Sequence, residues 1–306
     1  MRWRSSPGEL RGSIAALVTP FTDGGDVDLA SLERLVRYQL AHGSHGVSIG
    51  GSTGEPSSQT VAERAAAIRA VGKAVADRAY FLPGTGSAKL DETIELTAAA
   101  AEAGADAALV ITPYYVRPTQ EALYQWYRTV AREFPELPIV AYNVPTRTAV
   151  DIAPETVRRL YTDLDNFVGV KETTLDFQHA SRVIQLCGPD VLVWSGIELL
   201  CLPLLAIGGA GFISATANLA PAAHVEMYRA WAAGDQEEAR RIHYGLHPLV
   251  DLLFVETNPG PSKWVLHEMG LIASAHVRPP LVTPAAASIE RIGSLLREGA
   301  PFVSPA

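Results

Sequence analysis

One unit recurs eight times along the chain: a short, nearly continuous apolar run, a turn rich in Gly, Pro, Ser and Thr, and a stretch with helical periodicity. The apolar runs fall at 14–18, 46–49, 80–82, 107–111, 139–142, 167–171, 191–194 and 211–214. Helical stretches follow at 29–41, 61–76, 90–103, 120–133, 154–161, 177–186, 199–207 and 221–233; in the first of them Leu32, Leu35, Val36 and Leu40 share a face. Runs this uniformly apolar belong to strands buried on both sides, the condition of a parallel sheet covered by helices. Eight such units in about 230 residues match a closed (β/α)8 barrel, the TIM-barrel architecture, whose usual length is about 250 residues. An open, doubly wound sheet shares the periodicity and is the competing architecture.

The strand signal stops after Gly234. Residues 235–256, 262–269 and 285–297 read as helices, separated by "TNPGP" and "RPPLVTP". No flexible linker precedes them, so the expected organisation is a catalytic barrel over 1–233 and a C-terminal helical domain over 234–306 packed on it.

Composition narrows the function. With 48% hydrophobic residues in 306 the chain can bury a large core, and 19% charged residues leave no polar tract that would stay disordered. The formal net charge of -8 argues against a nucleic-acid or anionic-membrane partner. Residues 1–11 hold arginines but no apolar stretch of signal-peptide length, and no apolar run is long enough to span a membrane. Cys187 and Cys201 are too few for a disulfide framework. The expected setting is the cytoplasm.

In a barrel the chemistry gathers at the C-terminal strand ends. Those ends read "TP" at 19, "GSTGE" at 51, "GTG" at 84, "TPYY" at 112, "YNVPTR" at 142, "KETT" at 171, "SG" at 195 and "SATAN" at 214. Hydroxyls, tyrosines, one lysine and one arginine therefore converge, with no His, Asp or Glu cluster suited to a metal. Lys171 is the sharpest feature, because it ends a strand expected to be buried on both faces. Burial disfavours a charged amine, and the neutral amine is the form that adds to a carbonyl. A lysine at a frayed strand end, paired with Glu172, is the plainer reading of the same position. The chain has only three other lysines, Lys73, Lys89 and Lys263, all expected to be ordinary solvated or packing residues. Tyr142 and Tyr115 can pass protons if hydrogen-bonded to another hydroxyl, and Arg147 can clamp a carboxylate.

Competing motifs are weaker. "GGSTG" matches the G-x-S-x-G of a nucleophile elbow, but Pro56, Ser57 and Ser58 delay the helix an elbow needs, and no histidine stands at an expected strand end. "GTG" at 84 lacks the third glycine of a dinucleotide fingerprint. His243 and His247 have helical metal-ligand spacing but no third ligand.

With these residues in hand, the chain resembles the dihydrodipicolinate synthase / N-acetylneuraminate lyase family of pyruvate-dependent class I aldolases. The segments "GSIAALVTPF", "GGSTGE", "PGTG", "TPYYVRP", "YNVPTRT", "GVKET", "GFISATAN" and "ETNPGPSKW" carry the resemblance, in order and at family spacing. It implies a lyase acting through a Schiff base of pyruvate on Lys171, with no cofactor and no metal. It implies Tyr142 as the phenol that moves protons near the imine, with Ser52 and Tyr115 completing a hydroxyl relay, Tyr115 from across a tight dimer interface. Thr53 would hold the pyruvate carboxylate, Arg147 the carboxylate of an aldehyde partner, and Gly196 and Ile213 would line the pocket through their backbones. A homotetramer built from two tight dimers is the implied assembly.

Two departures bear on the substrate. Ser52-Thr53 is closer to the neuraminate lyases, whereas Arg147 in "YNVPTRT" is closer to the synthases, whose aldehyde is aspartate semialdehyde on the route to lysine. Further on, "EPSSQT", Val61, Arg64 and Ala88 replace residues associated with lysine feedback, so lysine inhibition is expected to be absent. Condensation of pyruvate with aspartate semialdehyde is the leading expectation. A catabolic 2-oxo-acid aldolase or dehydratase, with a dihydroxyheptenedioate or N-acetylneuraminate type of substrate, is the alternative. A catalytically silent barrel used for binding is the alternative of another class, and it would have no need of Lys171, Tyr142, Tyr115, Ser52 and Thr53.

Overall fold

In the computed structural model, which describes residues 7–306, the eight apolar runs form eight parallel strands. They are β1 (Gly12–Ala16), β2 (Gly46–Ser48), β3 (Tyr80–Phe81), β4 (Ala108–Ile111), β5 (Ile139–Asn143), β6 (Phe167–Glu172), β7 (Leu192–Ser195) and β8 (Gly211–Ser214). Each pairs with its neighbours in sequence, and β1 pairs with both β2 and β8. The remaining seam, between β3 and β4, closes just beyond β3. There Leu109 N–H donates to Pro83 O at 2.9 Å and Thr85 N–H donates to Leu109 O at 3.0 Å. The strand order never reverses, so the sheet is a closed barrel and the doubly wound alternative is excluded. The first six residues, which include two of the arginines used above to argue against a leader, lie outside the described residues.

A helical unit follows each strand: α1 (Leu29–Ala41), α2 (Val61–Val75), α3 (Leu90–Glu102), α4 (Gln120–Glu133), the single turn α5 (Pro145–Thr148) with α6 (Pro154–Asp163), α7 (Phe177–Cys187), α8 (Cys201–Ala206) and, after the last strand, α9 (Pro221–Ala232). Local chemistry sets several of their starts. At α2 the Thr60 hydroxyl accepts from Glu63 N–H while the Glu63 carboxylate accepts from Thr60 N–H, a reciprocal cap worth about 1 kcal/mol. Asp28, Thr119 and Asp176 cap α1, α4 and α7 in the same sense. Apolar faces such as Leu32 and Val36 of α1, or Leu123, Tyr127 and Val130 of α4, then bury against the outside of the strands.

Four more helices end the chain: α10 (Gln236–Gly245), α11 (His247–Leu253), α12 (Gly260–Glu268) and α13 (Ala286–Gly299). The helix expected over 235–256 is thus two helices. Pro248, in the first turn of α11, has no N–H to continue the ladder from α10. Phe212 of β8, Leu35 and Tyr38 of α1 and Met227 of α9 share one apolar layer with Ile242, Leu249, Leu252, Val265 and Ile292. Tyr38 hydroxyl also reaches Ser304 O at 3.1 Å. We propose 233/234, after the helix that follows the last strand, as the boundary between the barrel and the C-terminal helical domain; the apolar layer crosses it without a gap.

Inside the barrel, Ile14, Leu82, Leu109, Val140, Val168, Leu192 and Ile213 fill the cross-section. The side-chain period of two then decides what stands above that plug. In β5, Val140 and Tyr142 face inward. In β6 the register shifts by one residue opposite the Ile139–Val140 step, a bulge that lets Val168 face inward before the alternation resumes and brings Lys171, the register partner of Tyr142, to the same side.

Candidate active site

Lys171 is 5% exposed, and its Nζ lies 4.3 Å from the centre of the Tyr142 ring. This inward position is what separates it from Glu172. The next residue along a strand faces the opposite way, and Glu172 points out beneath α7, where it takes hydrogen bonds from Asn143 Nδ2 and Thr174 N–H. The plainer expectation, a Lys171–Glu172 pair, does not occur: Glu172 Oε2 stands 2.8 Å from His179 Nδ1.

Above Lys171 opens a cavity of about 570 Å³, a size suited to a small-molecule site. Lys171, Tyr142, Ser52, Thr53, Arg147, Gly196 and Ile213 all line it. Ser52 and Thr53 start a single 3-10 turn, Ser52–Gly54, that bends the chain over the barrel mouth, and Ser52 Oγ sits 3.3 Å from Tyr142 hydroxyl. Arg147 arrives on α5, placed by Pro145 at the first helical position. Gly196 makes room for the lysine: a Cβ there would stand 2.7 Å from Lys171 Cε and 2.2 Å from Thr173 Cγ2. A second, smaller cavity of about 270 Å³ adjoins the first and shares Ser52, Tyr142 and Arg147 with it.

Tyr115 is the one expected site residue that lies elsewhere. It is 91% exposed, on a turn with positive φ (79°) that turns it out of the barrel mouth. Within one chain it therefore makes no part of the Ser52–Tyr142 pair.

Several residues in and around the site were given no role in the sequence reading, although two of them, Asn258 and Lys263, lie in "ETNPGPSKW". Lys263, expected to be ordinary, is fully buried and pairs with Glu55 Oε1 at 2.5 Å, donates to His276 O at 2.9 Å and lies 4.0 Å over the Phe21 ring. Burial pulls its ammonium down to about 8 against the opposing pull of Glu55. Arg278 seals the same corner: its backbone N–H donates to Glu55 Oε2 at 3.0 Å and its guanidinium holds both oxygens of Glu63. Asn258 lines the cavity and donates to Thr53 Oγ1 at 3.0 Å. Glu198 also lines it, buried, accepting from Ser214 Oγ and from the N–H groups of Ala215 and Thr216. Asn258, Lys263 and Arg278 pair with residues more than 200 positions away, so spacing could not have revealed them.

His243 and His247 are packed ring to ring at 5.0 Å across the junction of α10 and α11. Among the described residues no group of three or more His, Cys, Asp or Glu side chains stands close enough to hold a metal ion, and no helix is long and apolar enough to cross a membrane.

The His179–Glu172 contact has a measurable consequence. Burial lowers the imidazole, but the hydrogen bond and charge of Glu172, helped by Asp151 and Ile152 O, outweigh it and leave His179 raised to about 9. An unfolded histidine titrates near ~6.5. Its proton therefore stabilises the fold fully below ~6.5, and that contribution is lost as pH rises through about 9. We expect wild-type melting temperature to fall over this window, with a swing of about 2–3 kcal/mol in stability. His179→Gln should flatten the profile; an unchanged slope in thermal melts would refute the assignment.

Comparison with known proteins shows the family. Residues 9–298 match the model of the dihydrodipicolinate synthetase family. The chain is 46% identical over 271 residues to the 4-hydroxy-tetrahydrodipicolinate synthase of Thermus thermophilus, spanning 89% of this chain and 90% of that one. Its fold superposes on dihydrodipicolinate synthase from Aquifex aeolicus with a TM-score of 0.92 at 37% identity, covering 96% and 99% of the two chains. The chloride-inhibited dihydrodipicolinate synthase of Acinetobacter baumannii, complexed with pyruvate, gives a TM-score of 0.91 at 39% identity over 95% and 99%. By sequence across nearly its whole length and by fold, the chain belongs to the dihydrodipicolinate synthetase family.

Proposed function

We propose that the chain is a 4-hydroxy-tetrahydrodipicolinate synthase, which joins pyruvate to aspartate semialdehyde through an imine on Lys171. The observation that carries this reading is the amine of Lys171 on the floor of the cavity, beside the Tyr142–Ser52 hydroxyl pair. The names of the Thermus and Acinetobacter relatives, and the pyruvate held by the latter, support it.

The chemistry follows from the groups present. Lys171 Nζ attacks the keto carbon of pyruvate, and the carbinolamine oxygen leaves as water after taking a proton from Tyr142 hydroxyl. Ser52, in hydrogen-bond contact, replenishes that proton. The protonated imine withdraws electrons, so the methyl group loses a proton, taken back by the Tyr142–Ser52 pair that has just given one up, and an enamine results. The enamine carbon attacks the aldehyde carbon, which regenerates the imine, and the new alkoxide is protonated through the same hydroxyls. The amine of the aspartate semialdehyde portion then adds to the imine carbon and expels Lys171 Nζ, which closes the ring and frees the lysine. Thr53 holds the pyruvate carboxylate, Arg147 that of the aldehyde, and Gly196 and Ile213 shape the wall. The electron sink is the imine itself, so no cofactor or metal is needed. In this reading the working form is a cytoplasmic homotetramer of two tight dimers, in which exposed Tyr115 of one protomer reaches the hydroxyl pair of its partner; sedimentation at assay concentration tests the tetramer.

Borohydride treatment with pyruvate, followed by peptide mass analysis, tests the imine: the adduct should fall on Lys171. A coupled assay with aspartate semialdehyde tests the substrate, and imine trapping without turnover would point to a catabolic aldolase instead.

Lysine should leave activity unchanged. The Arg64 guanidinium is buried at the smaller cavity, fixed by Gly84 O at 3.2 Å and Gly86 O at 3.0 Å, and would repel an incoming ammonium. Inhibition by millimolar lysine in the coupled assay would overturn this.

A further inference from the structure

The Thr53 hydroxyl receives one hydrogen bond whose direction decides what its own proton can do. Asn258, 205 positions away in the chain, donates from Nδ2 to Thr53 Oγ1 at 3.0 Å. The other end of the amide is tied down as well, since Asn258 Oδ1 accepts from Ser262 Oγ at 3.2 Å. All three side chains are buried, and Thr53 and Asn258 both face the Lys171 cavity. The loop is anchored to the same helix start a second time, because Glu55 pairs with Lys263, the residue after Ser262.

A threonine hydroxyl has one proton and two lone pairs, whereas an ionised carboxylate can only accept. When an amide N–H occupies a lone pair of Oγ1, the Thr53 proton remains available to the cavity. Were an acceptor to stand in place of that N–H, the proton would turn towards it, and Thr53 would meet a carboxylate with lone pairs alone.

We propose that Asn258 is a positioning residue for pyruvate: it holds Thr53 Oγ1 as an acceptor and so directs the Thr53 proton to the substrate carboxylate. The inference rests on the pyruvate-site reading above. Asn258 acts through Thr53 and on binding, so its loss raises the pyruvate KM while kcat at saturation changes little.

The test is the pyruvate dependence of borohydride trapping on the intact protein, read by mass, beside steady-state kinetics. We expect Asn258→Ala to raise half-saturating pyruvate about 10-fold, and Asn258→Asp, the same shape with reversed hydrogen-bond sense, about 100-fold. Asn258→Asp is isosteric, and its melting curve verifies folding. In a Thr53→Val background, where no hydroxyl remains to orient, adding Asn258→Ala should change half-saturation by less than about 2-fold. Asn258→Asp binding pyruvate as well as Asn258→Ala, or Thr53→Val and Asn258→Ala effects that multiply, would overturn the role of Asn258 while leaving the pyruvate site standing. A wild-type protein that traps no pyruvate on Lys171 would overturn the site reading and the inference with it.

Discussion

Lys171→Ala leaves no trappable imine and lowers turnover by at least about 10⁴-fold, since a covalent step lost outright is not shared out among the remaining groups. The strength of the prediction comes from the scarcity of amines. Of the four lysines, Lys73 is exposed on α2, Lys89 is exposed and paired with Glu92 at 2.9 Å, and Lys263 is sealed against Glu55. None of these three lines the cavity. A pyruvate-dependent mass increase therefore has one place to fall. Lys171→Arg sharpens the test, because it keeps a cation over the Tyr142 ring but cannot supply a neutral amine. If Lys171→Arg retains turnover, charge and not covalency is the property that matters, and the mechanism fails.

Lys263→Ala should be the most destabilising single change among those considered. It strands the Glu55 carboxylate in a site where the paired side chains are 0% and 2% exposed. Breaking one partner of a buried pair costs about 3–5 kcal/mol, a fall in melting temperature on the order of 10 °C for a chain of this size. Removing the charge from both sides is different: Glu55→Gln with Lys263→Met leaves no unpaired ion, and Gln keeps an oxygen for Arg278 N–H. The double variant should regain most of the loss. Additive losses in thermal melts would show that the two residues contribute independently.

The barrel was legible because its signal is periodic. Each apolar run lies within a residue or two of a strand, and the alternation of strand and helix leaves few topologies. Much of the candidate site was legible for the same reason: Ser52, Tyr142, Lys171, Gly196 and Ile213 sit at or just past strand ends, which a barrel gathers whatever their separation in sequence. Two kinds of fact escaped. Pairings such as Asn258–Thr53 and Lys263–Glu55 join residues more than 200 positions apart through a helical region with no periodic relation to the barrel. Tyr115 is exposed and apart from the Ser52–Tyr142 pair, so one chain's geometry does not complete the relay that the resemblance implies. The break at Pro248 was written in the sequence and was overridden by the apolar pattern around it.

The pairing of Tyr142 with Lys171 across β5 and β6 means that the chemistry is specified by a ladder of hydrogen bonds as much as by side chains. A slip of β6 by one position would present Glu172 to the cavity and turn the amine out towards α7. Gly169 guards against such slips, since any side chain there would collide with Leu192 O on β7. Loops at the barrel mouth can therefore be redrawn by evolution to accept new aldehydes, while Lys171, the proposed nucleophile, is indexed to the sheet and cannot drift with them.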